Sequence, residues 1–186
     1  MYVASVTESE HRITVDAMVD LHNELADDPS FDPRPFLSEV GFSRAPDASA
    51  ASMQRVAQRM TALSTFLADL PELDTDEAAA RVTEELTELP ITPSIVDHGG
   101  LGPHIHWTPP TARFDDQMMA DVMMALAQEI CDNGTIRFGT CAAMDCARLF
   151  YDATRNRSKK FCSDPRCASR THTADHRRRR QATESP

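Results

Sequence analysis

Four of the five cysteines stand in two pairs with the same internal spacing. Cys141 and Cys146 enclose four residues, fifteen residues follow, and Cys162 and Cys167 enclose another four. Two short knuckles of this kind let one segment supply four thiolates, which bind Zn²⁺ as a closed tetrahedron with Zn–S distances of about 2.3 Å. Because no coordination position is left for water, such an ion holds a fold together and does not act as a catalyst. The spacing therefore predicts one structural zinc ion.

Two disulfide bonds would fit the same spacing, so the redox compartment decides between the alternatives. The chain begins Met-Tyr-Val-Ala-Ser-Val-Thr, without the basic start and apolar segment of a secretory signal. Thiols stay reduced in the cytoplasm. We therefore expect a cytoplasmic protein and favour zinc. The sequence has no run of eighteen apolar residues, which excludes a membrane-spanning helix. The fifth cysteine, Cys131, is predicted to be a small buried apolar residue inside a helix.

The residues around the four cysteines predict the small fold that the ion would stabilise. Leu149 to Thr154 and Lys159 to Phe161 flank a polar turn, which favours two short strands paired as a hairpin. Asp164-Pro165 predicts a helix N-cap followed by proline at the first helical position, with Cys167 in the first turn. The segment has few core-forming side chains, so zinc binding would supply part of its folding energy.

Around these cysteines the chain resembles the CGNR zinc finger family. The family pattern has an aromatic residue and an aspartate on a strand, an Asn-Arg turn, an aromatic residue before the third cysteine, and a basic helix after the fourth. Here the name-giving motif reads Cys167-Ala168-Ser169-Arg170, and Phe161 stands where tryptophan is usual. The positions that fit the pattern are Cys141, Cys146, Phe150, Asp152, Thr154, Asn156, Arg157, Phe161, Cys162, Ser163, Cys167 and Arg170.

This resemblance implies a protein in two parts. Residues 1–135 would be an ABATE-like helical regulatory domain, and residues 136–186 a CGNR-type zinc finger with a basic C-terminal helix. In that family, proteins with this order of domains are assigned to stress-induced transcription regulation. The resemblance therefore implies a DNA-binding regulator whose N-terminal domain senses a ligand or a stress signal.

The charge distribution agrees with two parts that face different partners. From Cys141 to Pro186 the chain has 11 Lys/Arg and 5 Asp/Glu, a net charge of +6, and the preceding segment has 8 and 24, a net charge of −16. A basic helix beside a zinc site favours a polyanionic partner such as DNA, although a run of four arginines is also typical of a solvated helix end. The residues predicted to contact DNA are Arg155, Arg157, Lys159, Lys160, Arg170, His172, Arg177, Arg178, Arg179 and Arg180.

His172 and His176 extend the cysteine spacing in a way that resembles a Cys₂His₂ site. On one helix, at about 100° per residue, these histidines would lie about 140° and 180° away from Cys167. One ion could not contact all three side chains. We therefore predict that the two histidines face solvent or nucleic acid.

The segment before the finger is predicted to be mainly helical. Apolar residues recur at three- and four-residue spacing from Ile13 to Leu25, from Asp47 to Leu70, after Thr75, and from Asp115 to Cys131. A short helix is expected at 36–41. The last long stripe, with Met119, Val122, Met123, Leu126 and Ile130, predicts core packing. Its methionines, Met118 and Met124 included, are also compatible with a pocket for a small-molecule effector.

A β-hairpin interrupts the helices between Pro90 and Pro109. Ser94 to Asp97 and His104 to Trp107 flank a glycine-rich turn. If Val96 pairs with Ile105, these two side chains and Trp107 share one face, which we expect to be buried against the helices. Asp97, His104 and His106 would then lie on the other face. That face is predicted to be solvated, with a second metal or ligand site as an alternative.

The sequence contains no constellation typical of an enzyme. The neighbouring carboxylates of Glu84-Glu85 and Asp115-Asp116 are expected to be solvated, since adjacent residues on a helix point apart. No serine has the glycine-flanked elbow of a hydrolase. We therefore predict a non-enzymatic zinc-containing DNA-binding transcription regulator. The alternative is a zinc-stapled module that binds a partner protein or the acidic body of its own chain.

Overall fold

The predicted fold class, mainly helical with small hairpins, is confirmed in the computed structural model, which describes residues 6–97 and 103–184. Five helices lead to the first hairpin, one long helix follows it, and the second hairpin precedes the last helix. The helices are α1 Val6–Asp27, α2 Pro33–Glu39, α3 Ala50–Ala62, α4 Ser64–Asp69, α5 Thr75–Thr87, α6 Phe114–Asn133 and α7 Pro165–Glu184. The strands are β1 Ser94–Asp97, β2 Pro103–His106, β3 Phe138–Thr140 and β4 Leu149–Tyr151. The glycine-rich turn between β1 and β2 falls outside the described residues.

Helix α6 lies at the centre of the apolar core. It contacts α1, α3 and α5, and β4 packs on α1 beside it. The stripe predicted on α6 is buried along its whole length, as are Val15, Met18 and Val19 of α1. The hydrophobic periodicity of both helices therefore identified the faces that form the core.

The helix boundaries differ from the predictions where local capping competes with periodicity. The predicted helix from Asp47 to Leu70 is two helices, and α3 starts at the N-cap Ser49, whose hydroxyl accepts a hydrogen bond from the backbone N–H of Ser52. Leu63 separates α3 from α4. Helix α6 extends two residues beyond the predicted Cys131 and ends at Asn133, because Gly134 adopts a φ of +63° that non-glycine residues rarely tolerate.

Strand β1 is oriented as predicted, with Val96 half-buried and Asp97 exposed, but β2 is reversed, so Asp97 does not share a face with His104 and His106. Val96 lies opposite His104, and Ile95 lies opposite Ile105. Ile95 is 79% exposed and Ile105 52% exposed, whereas His104 and His106 are half-buried. Trp107 is also only half-buried, so the expectation of a buried tryptophan is wrong. The register differs from the predicted one by one residue, and such a shift turns every side chain of β2 to the other face.

The second hairpin uses a strand that the sequence did not predict. Leu149–Tyr151 pairs with Phe138–Thr140, before the first knuckle, and the expected strand at 159–161 is irregular. Gly139 allows this pairing, since a Cβ there would lie 2.5 Å from Cζ of Phe150. Phe138, Leu149 and Tyr151 are buried in the same apolar cluster as helices α1 to α6, which are called the body from here on. The first knuckle is thus the connection of a hairpin that is built into the main core.

Candidate metal centre and the finger around it

The four predicted ligands converge on one point. One ligand atom from each of Cys141, Cys146, Cys162 and Cys167 lies within 4.8 Å of the others. The Sγ atoms of Cys146 and Cys162 are 3.9 Å apart, and those of Cys162 and Cys167 are 3.8 Å apart. A tetrahedron with Zn–S distances of about 2.3 Å has edges of about 3.8 Å. The cluster therefore fits one zinc ion, and all five cysteines are free thiols, not disulfides.

For Cys162 and Cys146, burial disfavours the thiolate unless a cation is bound, whereas hydrogen bonds outweigh burial and lower the pKa of Cys141. Burial raises the pKa of Cys162 to about 12, against the effect of a hydrogen bond from the backbone N–H of Asp164. Burial also raises the pKa of Cys146. A thiol with so high a pKa ionises only when a cation takes the place of its proton, as zinc does. Zinc binding should consequently release protons and contribute directly to folding.

Short backbone hydrogen bonds position the first knuckle. The N–H of Cys141 donates to the carbonyl of Arg148 at 2.9 Å, which extends the β3–β4 ladder to the first ligand. The N–H of Ala142 donates to the carbonyl of Lys160 at 2.8 Å, and this bond brings the chain before Cys162 alongside the first pair. The two knuckles are therefore joined by backbone contacts as well as by the shared ion.

The second knuckle lies at the start of α7, as predicted. The Asp164 carboxylate accepts a hydrogen bond from the backbone N–H of Arg166 at 2.9 Å, and Cys167 lies in the first turn. Hydrogen bonds from the Arg166 side chain and backbone lower the pKa of Asp164 to about 2. An ionised side chain at this position stabilises the exposed N–H groups of the helix.

Asp152 organises the loop between the knuckles. Its Oδ1 accepts hydrogen bonds from the N–H and hydroxyl of Thr154 at 2.8 and 2.5 Å, and its Oδ2 accepts one from the N–H of Lys159 at 2.7 Å. Within this loop Arg157 has a φ of +47°, a conformation that few residues other than glycine adopt. The aspartate of the family pattern thus has a direct structural role, since it fixes the backbone on both sides of the turn.

These features agree with the comparison to known protein families. Residues 137–180 match the family model of the CGNR zinc finger. The match begins at β3, so the family unit includes the β3–β4 hairpin as well as the two knuckles and most of α7. A search of curated proteins found no match.

A polar stripe of α1 holds the CGNR finger on the body. The Asn23 amide donates to the carbonyl of Leu149 and accepts from its N–H, both at 2.9 Å in a buried environment. Acidic residues before and after Asn23 on the same helix bind the finger's cations and a serine hydroxyl. These pairs are Asp16 with Lys159 (3.4 Å), Asp20 with Ser163 (2.8 Å), Glu24 with Arg148, and Asp27 with Arg148 (3.1 Å).

A buried carboxylate joins the hairpin to α6. Glu129 is fully buried, with His11 Nε2 at 3.4 Å and Arg137 Nε at 3.5 Å from its oxygens. Arg137, the first residue of the family match, also donates to the carbonyl of Asp152 at 2.8 Å. Removing one partner of a buried charge is costly, so this group ties the finger to the body at a second place.

The predicted DNA-binding residues occupy three different environments. Lys159 is half-buried against α1 and donates to the carbonyl of Tyr151 at 3.1 Å. Arg170 is exposed and lies next to the metal centre, with Nη2 3.7 Å from the Cys167 sulfur and Nη1 3.3 Å from Asp145. The rest are exposed on the loop or on α7, namely Arg155, Arg157, Lys160, His172, Arg177, Arg178, Arg179 and Arg180.

Histidines of α7 are not part of the metal centre. His172 is exposed and its ring packs edge-on against Phe161, with centroids 5.7 Å apart. His176 is also exposed. Among the residues that the structure describes, the four cysteines form the one group of three or more potential ligands.

Two predictions about the body are wrong. Asp115 is fully buried rather than solvated, since its carboxylate lies between Arg55 (2.9 Å), Arg59 (3.7 Å) and Arg113 (3.5 Å) at the first turn of α6. Its helical position and arginine partners compensate for the lost hydration. Cys131 is exposed, because it lies on the outer face of α6 near the helix end.

The predicted methionine pocket is small. Met119 and Met123 form the floor of a cleft between α3, α5 and α6, with Arg59 and Glu85 among its other residues and a volume of about 100 Å³. Met118 is buried in the core. Pockets for drug-sized ligands are typically about 300 to 1,000 Å³, so in this conformation the cleft would hold only a small group.

No helix in the described part of the chain combines the length and apolarity that crossing a membrane requires.

Proposed function

We propose that this protein is a non-enzymatic DNA-binding transcription regulator in which a zinc-stabilised CGNR finger presents α7 to the duplex. The observation that supports this proposal best is the composition of α7. Six of its residues are arginines, and from His172 to Gln181 every residue is exposed except the partly exposed Asp175. A cationic surface of this density attracts the phosphate backbone.

The polarity of α7 itself favours a polyanionic ligand. Between His172 and Gln181, the part of the helix whose side chains the structure describes, there is no apolar face that could pack on the body. A helix that is polar all round gains little from tertiary packing, and repulsion between adjacent arginines opposes it. Phosphates would remove that repulsion, so binding and ordering of the helix should reinforce each other.

The first turns of α7 are the best position for reading bases. Arg170 and His172 lie within five residues of the ligand Cys167, so zinc restrains their backbone. Phosphate contacts from Arg177–Arg180 would set affinity without sequence preference, whereas a side chain in the major groove is needed for specificity. We assign that role to Arg170 or His172. The loop residues Arg155, Arg157 and Lys160 would form a second contact to the backbone.

The docked hairpin supports the alternative function. Because β3 and β4 belong to the main core, the finger also serves as a structural part of the body. A module that binds only its own body or a partner protein would need no exposed arginine run, so this run favours DNA binding over the alternative.

The proposal also includes a regulatory input. A ligand or a stress signal would act on the helical body, in a protein that we place in the cytoplasm.

Two variants of the same four arginines, one that removes their charge and one that keeps it, test the DNA-binding role. Replacing Arg177, Arg178, Arg179 and Arg180 by alanine should weaken binding of a fluorescent duplex at least about a hundredfold at moderate salt, since four phosphate contacts are lost. The same four positions changed to lysine should retain most of the affinity. If the alanine variant keeps its zinc and binds DNA as tightly as the wild type, the interaction-module function should replace this proposal.

A further inference from the structure

Two histidine rings converge on the half-buried face of the β1–β2 hairpin. His104 and His106 are two residues apart on β2, so strand alternation places them on the same face. Their Nε2 atoms are 3.2 Å apart and their ring centroids 5.1 Å apart. The two Nε2 atoms are thus within hydrogen-bond distance of each other, and neither belongs to the cluster of four cysteines.

A buried hydroxyl lies beside the same pair. Ser94 is directly opposite His106 in the antiparallel register. Its Oγ is inaccessible to solvent and has no hydrogen-bond partner among the described residues. Buried hydroxyls are normally paired with a protein group or an ordered water. An additional group between β1 and the two rings would satisfy this oxygen.

We propose that His104 and His106 bind one divalent first-row transition ion through their Nε2 atoms, with Ser94 hydrogen-bonded to a water on that ion. Two imidazole nitrogens on one ion, at metal–nitrogen distances of about 2.0 to 2.1 Å, lie about 2.8 to 3.4 Å apart for tetrahedral or octahedral angles. The observed separation falls within this range. Imidazole ligands suit Zn²⁺, Cu²⁺ and Ni²⁺, whereas Mg²⁺ and Ca²⁺ prefer oxygen ligands.

This ion would differ from the finger's zinc in both affinity and use. Two neutral nitrogens leave coordination positions for water, and their binding is weaker than that of four thiolates around a closed site. The net charge of −16 on the segment before Cys141 favours any cation at this face. The site is therefore suited to an exchangeable metal effector. It does not depend on whether the finger binds DNA.

Calorimetric titration of Zn²⁺ into the full chain, already loaded with zinc at its four cysteines, tests this site at neutral pH. The expected result is one further equivalent per chain. Changing an outer-sphere group alone weakens metal sites by about ten- to a hundredfold, so loss of either ligand in His104→Gln or His106→Gln should weaken binding by at least about tenfold. Ser94→Ala should have a smaller effect in the same direction.

The variant His172→Gln/His176→Gln provides a matched control. It removes a second pair of histidines, spaced one helical turn apart on α7, and should leave the further equivalent unchanged. If the equivalent disappears in this control, or if it persists in His104→Gln/His106→Gln, the proposed site is wrong. Absence of any second equivalent in the wild type would also overturn it. Circular dichroism of each variant separates loss of ligands from loss of the fold.

Discussion

The two ends of the CGNR finger are held by different forces. Its hairpin contributes Phe138, Leu149 and Tyr151 to the main core and is bound to α1 by buried hydrogen bonds. Its helix α7 has no apolar face from His172 to Gln181, as far as its side chains are described, and is attached through Cys167 and the metal centre. One small family unit is therefore anchored at its start and projects at its end. The metal centre connects the anchored hairpin to the projecting helix α7.

This division explains how an acidic protein can present a basic surface. The acidic residues of α1 bind Arg148 and Lys159 of the finger, so part of the body's negative charge is neutralised at the interface. The arginines near the end of α7 are at the far end of a helix of 20 residues. Screening within about 10 Å at ordinary ionic strength would limit repulsion between the body and the DNA that we propose as the ligand of α7.

Loss of zinc should separate the two ends most clearly. In Cys162→Ser we expect no stoichiometric zinc, loss of the α7 helix, and retention of the body and most of the β3–β4 hairpin, because their apolar contacts do not involve the metal. Metal analysis and circular dichroism measure the first two outcomes, and protease mapping measures the third. Cys131→Ser should change none of them. A single cooperative collapse of the whole chain in Cys162→Ser would show that the hairpin is not independently anchored.

The anchored end should be sensitive to Asn23. Its amide pairs with both the N–H and the carbonyl of Leu149, so Asn23→Ala leaves two buried backbone groups unsatisfied and should lower the free energy of unfolding by about 2 to 4 kcal/mol. Urea denaturation of the zinc-loaded protein gives this value. The exposed Asn156→Ala is the control and should change stability by less than about 0.5 kcal/mol. Equal effects of the two variants would contradict the anchoring role of α1.

The stability of the body should depend on pH, whereas the stability of the finger should depend on bound metal. Burial raises the pKa of Asp121 in α6 to about 7. The folded state then binds a proton between roughly pH 4 and pH 7 that the unfolded chain has released, so stability falls as pH rises through this window. Asp121→Asn should be more stable than the wild type by on the order of 2 kcal/mol at pH 8, with little difference at pH 4. Thermal melts at both pH values check this, and an equal effect at both would refute it.

The metal centre was predictable because its information is local. Cys141, Cys146, Cys162 and Cys167 lie within one short segment, and their spacing alone defines two knuckles. The start of α7 was equally clear from Asp164-Pro165. The apolar stripes of α1 and α6 were identified because helical periodicity depends only on residues within the same element.

Strand pairing was not predictable to the same extent. Which face of β2 turns inward depends on its register with β1, and neither Ile105 nor His104 carries that information. The partner of Leu149–Tyr151 depends on a close contact between Gly139 and the Phe150 ring. Similarly, the burial of Asp115 depends on Arg55, which is 60 residues away in sequence, and on Arg59. Acidic residues recur along α1, and this pattern in the sequence could have identified the surface that binds the finger.

The salt dependence of duplex DNA binding by the zinc-loaded full chain tests the proposed function most directly. If α7 neutralises about four phosphates, log K should fall linearly with log salt at a slope of roughly −3 to −4. Each arginine removed from Arg177–Arg180 should make that slope shallower by about one. Binding that is absent at low salt, or a slope that stays unchanged when all four arginines are replaced by alanine, would contradict the account.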